Sequence, residues 1–322
     1  MGSQPLYVHC PSCLGAMRGL HSIRRQPLIA TARRTRGVGA IPRVLLAAVA
    51  FVSLSFLFST CQPGAPMPLL DLHGKRGLVV GIANDQSIAW GCARAFRDAG
   101  AELAVTWLND KARAYVEPLA RQVDAPITLP LDVEQPGQME AVFDAVARTW
   151  GRLDFVLHSI AFAPRSDLSG RVTDSSREGF ARAMDISCHS FLRMARLAEP
   201  LMPQGGSLMT MSYVGAAEVI PGYGLMGPVK ASLESGTRYL AAELGPKGIR
   251  VNAVSPGPLA TRAASGIPDF DTLMADAVRR APLRRLVELE EIGALCAFLV
   301  SDGARAITGN TLYVDAGHHI LG

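Results

Sequence analysis

Residues 77–91, GLVVGIANDQSIAWG, pass from a short apolar run through a turn into a segment with helical spacing. Gly77–Gly81 reads as a strand buried on both faces, because it is continuous, apolar and rich in Val and Leu. Gly81 allows a sharp turn. The backbone N–H groups of Ser87 and Ile88 are then expected to point at a pyrophosphate, helped by the dipole of the helix that follows. The turn is longer than the G-x-G-x-x-G fingerprint, with Ser87 and Ala89 where tighter glycines are usual. A plain strand–helix turn accounts for the same residues. Asp85, and the lack of an Arg in this turn, disfavour an extra 2′-phosphate on any dinucleotide and favour NADH over NADPH.

Six more runs of the same kind follow. They are Glu102–Trp107, Ile127–Leu131, Phe155–Leu157, Ser207–Met211, Arg250–Val254 and Thr311–Val314. Between them, apolar residues recur at helical steps, as at Met139, Val142, Val146 and Trp150, and again at Leu233, Leu240 and Leu244. Alternating strand and helix predicts one doubly wound, Rossmann-type α/β domain with a seven-stranded parallel sheet. In such sheets ligands bind beyond the carboxyl ends of the strands, so chemistry is expected immediately after each strand.

Apolar residues make up 49% of the 322 and charged residues 19%, which excludes a disordered or low-complexity chain. The net charge of +4 hides an asymmetry. Residues 1–66 carry seven Arg and no Asp, Glu or Lys, so the remainder bears −3. That gives no argument for nucleic-acid binding or for a membrane surface as a partner of the main domain. Residues 1–66 form a separate extension, and 67–322 the domain. Val44–Phe58 is an uncharged apolar run, short for a membrane helix. The extension reads as a targeting or anchoring segment, as a transit peptide, or as a mis-assigned start ahead of Met67. The last reading suits a chain with 28 Arg and only four Lys, a bias typical of GC-rich coding DNA. The domain is expected in the cytoplasm, or anchored or organelle-targeted if the extension is an address.

No metal is expected. Cys10 and Cys13, beside His9, are half a zinc site without a second pair, and the adjacent His318 and His319 point apart on most backbones. Cys92, Cys188 and Cys296 read as free buried thiols of a reducing compartment.

Asp132 and Val133 follow the third strand. The carboxylate could accept from an adenine amino group and the Val133 N–H could donate to the ring, although an Asp capping the next helix fits equally well. Ser159, Ile160 and Ala161 follow the fourth strand, where small residues let a ribose pass close to the backbone. Pro256-Gly257-Pro258 follows the sixth, with Leu259, Ala260 and Thr261 bordering the nicotinamide position. A rigid loop without chemistry is the alternative there.

The densest constellation is Ser212–Ser232, SYVGAAEVIPGYGLMGPVKAS. Tyr223 and Lys230 stand seven apart, two turns of a helix if the segment is helical, so both can share one face. Pro228 fits only near the start of that helix. An ammonium there can bind ribose hydroxyls, and a phenol can hydrogen-bond an oxygen that becomes anionic after hydride arrives. A packed ring beside a surface cation is the bland alternative. The pair coincides with three loops suited to a dinucleotide, which favours function.

From about Leu70 to Gly322 the chain resembles the short-chain dehydrogenase superfamily. Within it the chain resembles the NADH-dependent enoyl-acyl-carrier-protein reductases of bacterial type II fatty-acid synthesis. The resemblance is carried by Gly81–Gly91, by HSIAFAP at 158–164 and by MDISCHSF at 184–191. Tyr213 through Lys230 and PGPLATRAASG at 256–266 carry the rest. Ordinary members of the superfamily place a proton-donating Tyr four residues before the Lys. Here that position is Met226, which has no proton to give, and the usual helical Asn is matched by Ser187.

The resemblance implies that Tyr223 binds the enolate oxygen, Lys230 the nicotinamide ribose, and that Tyr213 lines the acyl pocket. It implies NADH held by Gly81, Ser87, Ile88, Leu108, Asp132, Val133, Ile160, Lys230, Leu259 and Thr261, and substrate touched by Ala163. It also implies a mobile lid over 263–280, acyl carrier protein as the bearer of the substrate, and a homotetramer with the helix after Lys230 in contact. Two departures stand out. Leu108 replaces a frequent Gln near the adenosine ribose, followed by Asn109-Asp110-Lys111. Pro268, Asp271 and Thr272 fall where relatives carry basic residues, with Arg279, Arg280, Arg284 and Arg285 further on as substitutes.

Overall fold

Side chains on successive strand residues point to opposite faces, so a strand covered on both sides must be apolar throughout. The computed structural model, which describes residues 70–168, 170–259 and 270–321, shows this directly. On β1 (Arg76–Val80), Val79 joins one core cluster while Leu78 and Val80 join the other. On β2 (Glu102–Trp107), Leu103 and Val105 face the first and Ala104 the second. β3 (Ile127–Pro130), β4 (Phe155–His158), β5 (Gly206–Met211), β6 (Ile249–Pro256) and β7 (Thr311–Val314) complete the sheet. Each strand lies within two residues of the run read from the sequence.

The order is β3-β2-β1-β4-β5-β6-β7, and every pair is parallel. The chain winds outward from β1 in one direction and from β4 in the other. The crevice at the carboxyl ends of β1 and β4, where Val80 is in register with His158, is therefore the switch point.

One face is covered by α1 (Ile88–Asp98), α2 (Asp110–Gln122) and α9 (Leu289–Val300). The other is covered by α3 (Gln138–Trp150), α6 (Ser190–Ala198) and α7 (Met226–Leu244). Short helices α4 (Arg165–Leu168) and α5 (Arg177–Met184) precede a π turn over Asp185–His189, and α8 is Phe270–Arg280. All four residues of the Met139–Trp150 series are buried, as are Leu233 and Leu244. Cys92, Cys188 and Cys296 are free and buried.

Two expectations, on Tyr223 and on the run after Leu108, need adjustment, and the one on Pro228 is met. Tyr223 is not on α7: it precedes the helix, and its carbonyl accepts from Met226 N–H at 3.2 Å. Pro228 sits within the first turn of α7, where its missing N–H leaves no intrahelical bond unmade. Asn109 is the N-cap of α2, its side chain accepting from Ala112 N–H at 3.0 Å, so the polar run after Leu108 starts a helix. Residues 1–66, Thr261 and most of the lid's first half lie outside the described residues. Among the described residues no helix is long and apolar enough to cross a membrane.

Candidate active site

The β1–α1 turn is built on Gly81. Its φ is +106°, and a Cβ there would stand 2.0 Å from the carbonyl oxygen of Ser159 on the next loop. Only glycine permits that approach. Ser87 holds the turn together: its hydroxyl accepts from Ala83 N–H (3.0 Å) and Asn84 N–H (3.1 Å). Its own N–H donates to the Asn84 carbonyl at 3.2 Å, so that amide, expected to face a pyrophosphate, is already engaged. The amides of Ile88 and Ala89, the first two of α1, donate to no described residue. Unpaired amides at a helix start suit an anion.

After β3, the Asp132 side chain accepts from Glu134 N–H at 3.0 Å and closes its own turn. It does not cap α3, whose N-cap is Gly137. Val133 is buried, with its carbonyl accepting from Arg193 at 2.8 Å and its N–H donating to no described residue. Leu108 is 55% exposed beyond β2. Arg182, which sequence reasoning missed, grips both carboxylate oxygens of Glu134 at 2.7 Å and lies 4.6 Å from the Phe162 ring centroid. It ties the turn after β3 to the strip after β4. That guanidinium holds the Glu134 carboxyl below the usual range.

After β4, Ile160 packs partly against the core, and the Phe162 backbone is bracketed by Ser187. The Ser187 hydroxyl accepts from Phe162 N–H at 2.9 Å and donates to its carbonyl at 3.0 Å. Ser187 reaches both groups from the π turn. That turn is pinned by a second device without a sequence motif. The Ser190 hydroxyl donates to the Ile186 carbonyl at 2.6 Å, so it must accept from His158 Nε2–H at 2.7 Å. His158 Nδ1 then accepts from Thr210 at 2.9 Å. The imidazole is thus a neutral Nε2–H tautomer. Burial first, and the charge of Lys230 second, push its pKa down to about 3.

Tyr213, Tyr223 and Lys230 converge beyond β5. The two phenol rings pack 4.8 Å apart at 59°. Gly215 permits this, since a Cβ there would lie 2.5 Å from the Tyr223 ring. The Tyr213 hydroxyl is buried without a partner among the described residues. Burial pushes its pKa up to about 12 and that of Tyr223 upward too, so both phenols stay protonated. Lys230 is only 5% exposed. Its Nζ donates to the Met211 carbonyl at 2.6 Å, and burial brings its pKa down to about 8. Met226 is 6% exposed, in an apolar cluster with Leu225, Val229, Ala163 and the Tyr223 ring. Leu259 and Ile88 both pack against the cluster on the α1 side of the sheet.

These residues fit a dinucleotide. Two unpaired amides at a helix start suit a pyrophosphate. A buried ammonium with protons to spare suits ribose hydroxyls, and an orphaned phenol suits an oxygen of the reacting pair. Among the described residues no group of three His, Cys, Asp or Glu could hold a metal. The arginines at the end of the lid and just after it are engaged: Arg279 with Asp276, Arg280 with the Leu321 carbonyl, Arg284 with the Arg279 carbonyl and Arg285 with Glu291.

A parallel sheet with its crevice at the β1/β4 switch and a Tyr–Lys pair beyond β5 defines a dinucleotide-dependent oxidoreductase of the short-chain dehydrogenase type. A family model described as enoyl-(acyl carrier protein) reductase matches residues 81–319. The chain is 47% identical over 251 residues to the NADH enoyl-acyl-carrier-protein reductase 1 of Rhizobium meliloti, covering 78% of this chain and 92% of that protein. It is 46% identical over 257 residues to the corresponding NADH reductase of Synechocystis, covering 79% and 100%. Among solved structures, the Anaplasma phagocytophilum reductase in complex with NAD superposes with a TM-score of 0.75 at 44% identity, covering 78% and 96%. The Aquifex aeolicus NADH reductase gives 0.76 at 41%, covering 79% and 100%. The chain belongs to the enoyl-acyl-carrier-protein reductase family.

Proposed function

We propose that this chain reduces trans-2-enoyl acyl-carrier-protein thioesters to saturated acyl thioesters with NADH, in fatty-acid biosynthesis. The observation that carries this reading is the pairing of a phenol before α7 with Met226 four residues ahead of Lys230. A ketone reductase of this fold needs an acid at that position, and Met226 is instead packed among apolar side chains.

NADH supplies a hydride to carbon 3 of the conjugated thioester. Negative charge then grows on the thioester oxygen, and a proton delivered from water to carbon 2 completes the saturated thioester. The Tyr223 hydroxyl donates a hydrogen bond to that oxygen, and its raised pKa keeps the proton in place throughout. Lys230 anchors the nicotinamide ribose while its own position is fixed by the Met211 carbonyl. Tyr213, packed on Tyr223, orients that ring and walls the acyl pocket with Ala163 and Met226. The Ile88 amide, Gly81, Asp132, Val133, Ile160, Leu108, Leu259 and Thr261 hold the cofactor, Ser87 acting by shaping the turn. Residues 263–280 close over the acyl chain.

The catalytic unit is residues 67–322, working in the cytoplasm. Residues 1–66 lie outside residues 81–319, which the family model matches. The assembly is a homotetramer with α7 in contact, a reading supported by Tyr239, 77% exposed on that helix. The test is NADH oxidation by this chain with crotonyl thioesters. Tyr223→Phe should lower turnover by about 10²–10³ with NADH affinity nearly unchanged. Lys230→Ala should weaken NADH binding. Turnover of ketones but not enoyl thioesters overturns the assignment.

A further inference from the structure

Lys230 is a buried cation with no carboxylate in contact among the described residues. Its one recorded hydrogen bond goes to a neutral carbonyl, that of Met211. An ammonium in that setting is costly to keep charged. Glu234 lies one turn further along α7, on the same face and half-buried. It does not reach Lys230. It is held instead by the Ser212 hydroxyl, which donates to Glu234 Oε1 at 2.5 Å. Ser212 directly follows the Met211 whose carbonyl accepts the Lys230 hydrogen bond, and its own N–H donates to the Val254 carbonyl at 2.7 Å.

We propose that Glu234 is a positioning residue for the reduction. Anchored by Ser212, it is the fixed counter-charge that keeps Lys230 protonated and seated on the end of β5.

This rests on the reading of Lys230 as the ribose anchor. The groups facing Lys230 from the packed elements support the assignment. His158 on β4 is neutral above a pH of about 3 and so carries no charge at working pH. Cys188, on the π turn, is a buried thiol whose pKa burial raises, so it is neutral too. Tyr213 and Tyr223 remain protonated phenols. Glu234 is left as the principal negative charge acting to raise the Lys230 pKa against burial. It also pushes the Tyr313 phenol upward, after burial itself.

The experiment measures NADH affinity by fluorescence, and kcat/KM with crotonyl thioester, as functions of pH. Four full-length proteins are compared: wild type, Glu234→Gln, Ser212→Ala and Lys230→Met. In Glu234→Gln the side-chain amide oxygen still accepts the Ser212 hydrogen bond, so only the charge is removed. Wild type should lose affinity as Lys230 deprotonates near pH 8. In Glu234→Gln that alkaline limb should move down by about one pH unit, so that affinity at pH 8 falls several-fold while affinity at pH 6 is kept. Ser212→Ala frees the carboxylate, and its limb should move in the same direction by less. An unmoved limb in both variants overturns the proposal while leaving the function intact. A limb that survives in Lys230→Met overturns the proposal and the ribose-anchor reading together.

Discussion

Replacing His158 with glutamine isolates one proton in the stability of this protein. The folded state holds His158 neutral to about pH 3, whereas the unfolded side chain titrates near 6.5. Below 6.5 the unfolded chain therefore binds a proton that the native chain refuses, and stability falls as pH falls. The slope is about 1.4 kcal/mol per pH unit, so two units below 6.5 remove about 3 kcal/mol. That window lies above the range in which the hydrogen-bonded carboxyls Asp71, Asp167 and Asp276, all held low, begin to contribute. Glutamine can still donate to Ser190 but loses the acceptor facing Thr210. At neutral pH the variant should be less stable by about 1 kcal/mol. Urea titrations of cofactor-free protein at fixed concentration, followed by tryptophan fluorescence, give both curves. Between pH 6.5 and 4.5 the wild-type curve should fall through that of the variant and end below it by about 2 kcal/mol. Curves that run parallel across this interval would refute a neutral, buried imidazole.

Gly215→Ala should push the Tyr223 ring aside, because the new methyl would stand 2.5 Å from it; turnover should fall at least about tenfold with NADH affinity held, since small misplacements of a reacting group are expensive. Ser187→Ala strips both backbone partners from Phe162. It should destabilise the protein by about 1–3 kcal/mol and raise the KM for enoyl thioester more than that for NADH, as thermal melts and steady-state kinetics would register.

The sheet was readable because its strands are buried on both sides and so carry unbroken Val, Leu and Ile, which is a local signal. The Tyr223–Lys230 pair was readable because its spacing is local too, although the helix starts only after Tyr223. The His158–Ser190–Thr210 network joins residues 32 and 52 apart, so it leaves no periodicity to find. The Arg182 bridge to Glu134 spans 48 residues and is equally silent. Ser87 misled because a helix-start amide looks free in sequence, whereas the turn had already engaged it. Glu234 left a faint trace, an acid four residues after a buried lysine. The hydrogen-bond partners of Arg280 and Arg284, both backbone carbonyls, are likewise invisible to charge counting.

The strand order bears on how this protein is made. β1 is flanked on one side by β2, a short loop and helix away, and on the other by β4. The Arg76 N–H that opens β1 is satisfied by the carboxylate of Asp154, 78 residues later. A nascent chain leaving the ribosome can zip β1, β2 and β3 early, but one margin of β1 stays bare until β4 has been synthesised. Unpaired margins recruit other chains. Each later strand covers one margin and bares another, so chaperone binding should follow the travelling edge from β1 through β6 during translation.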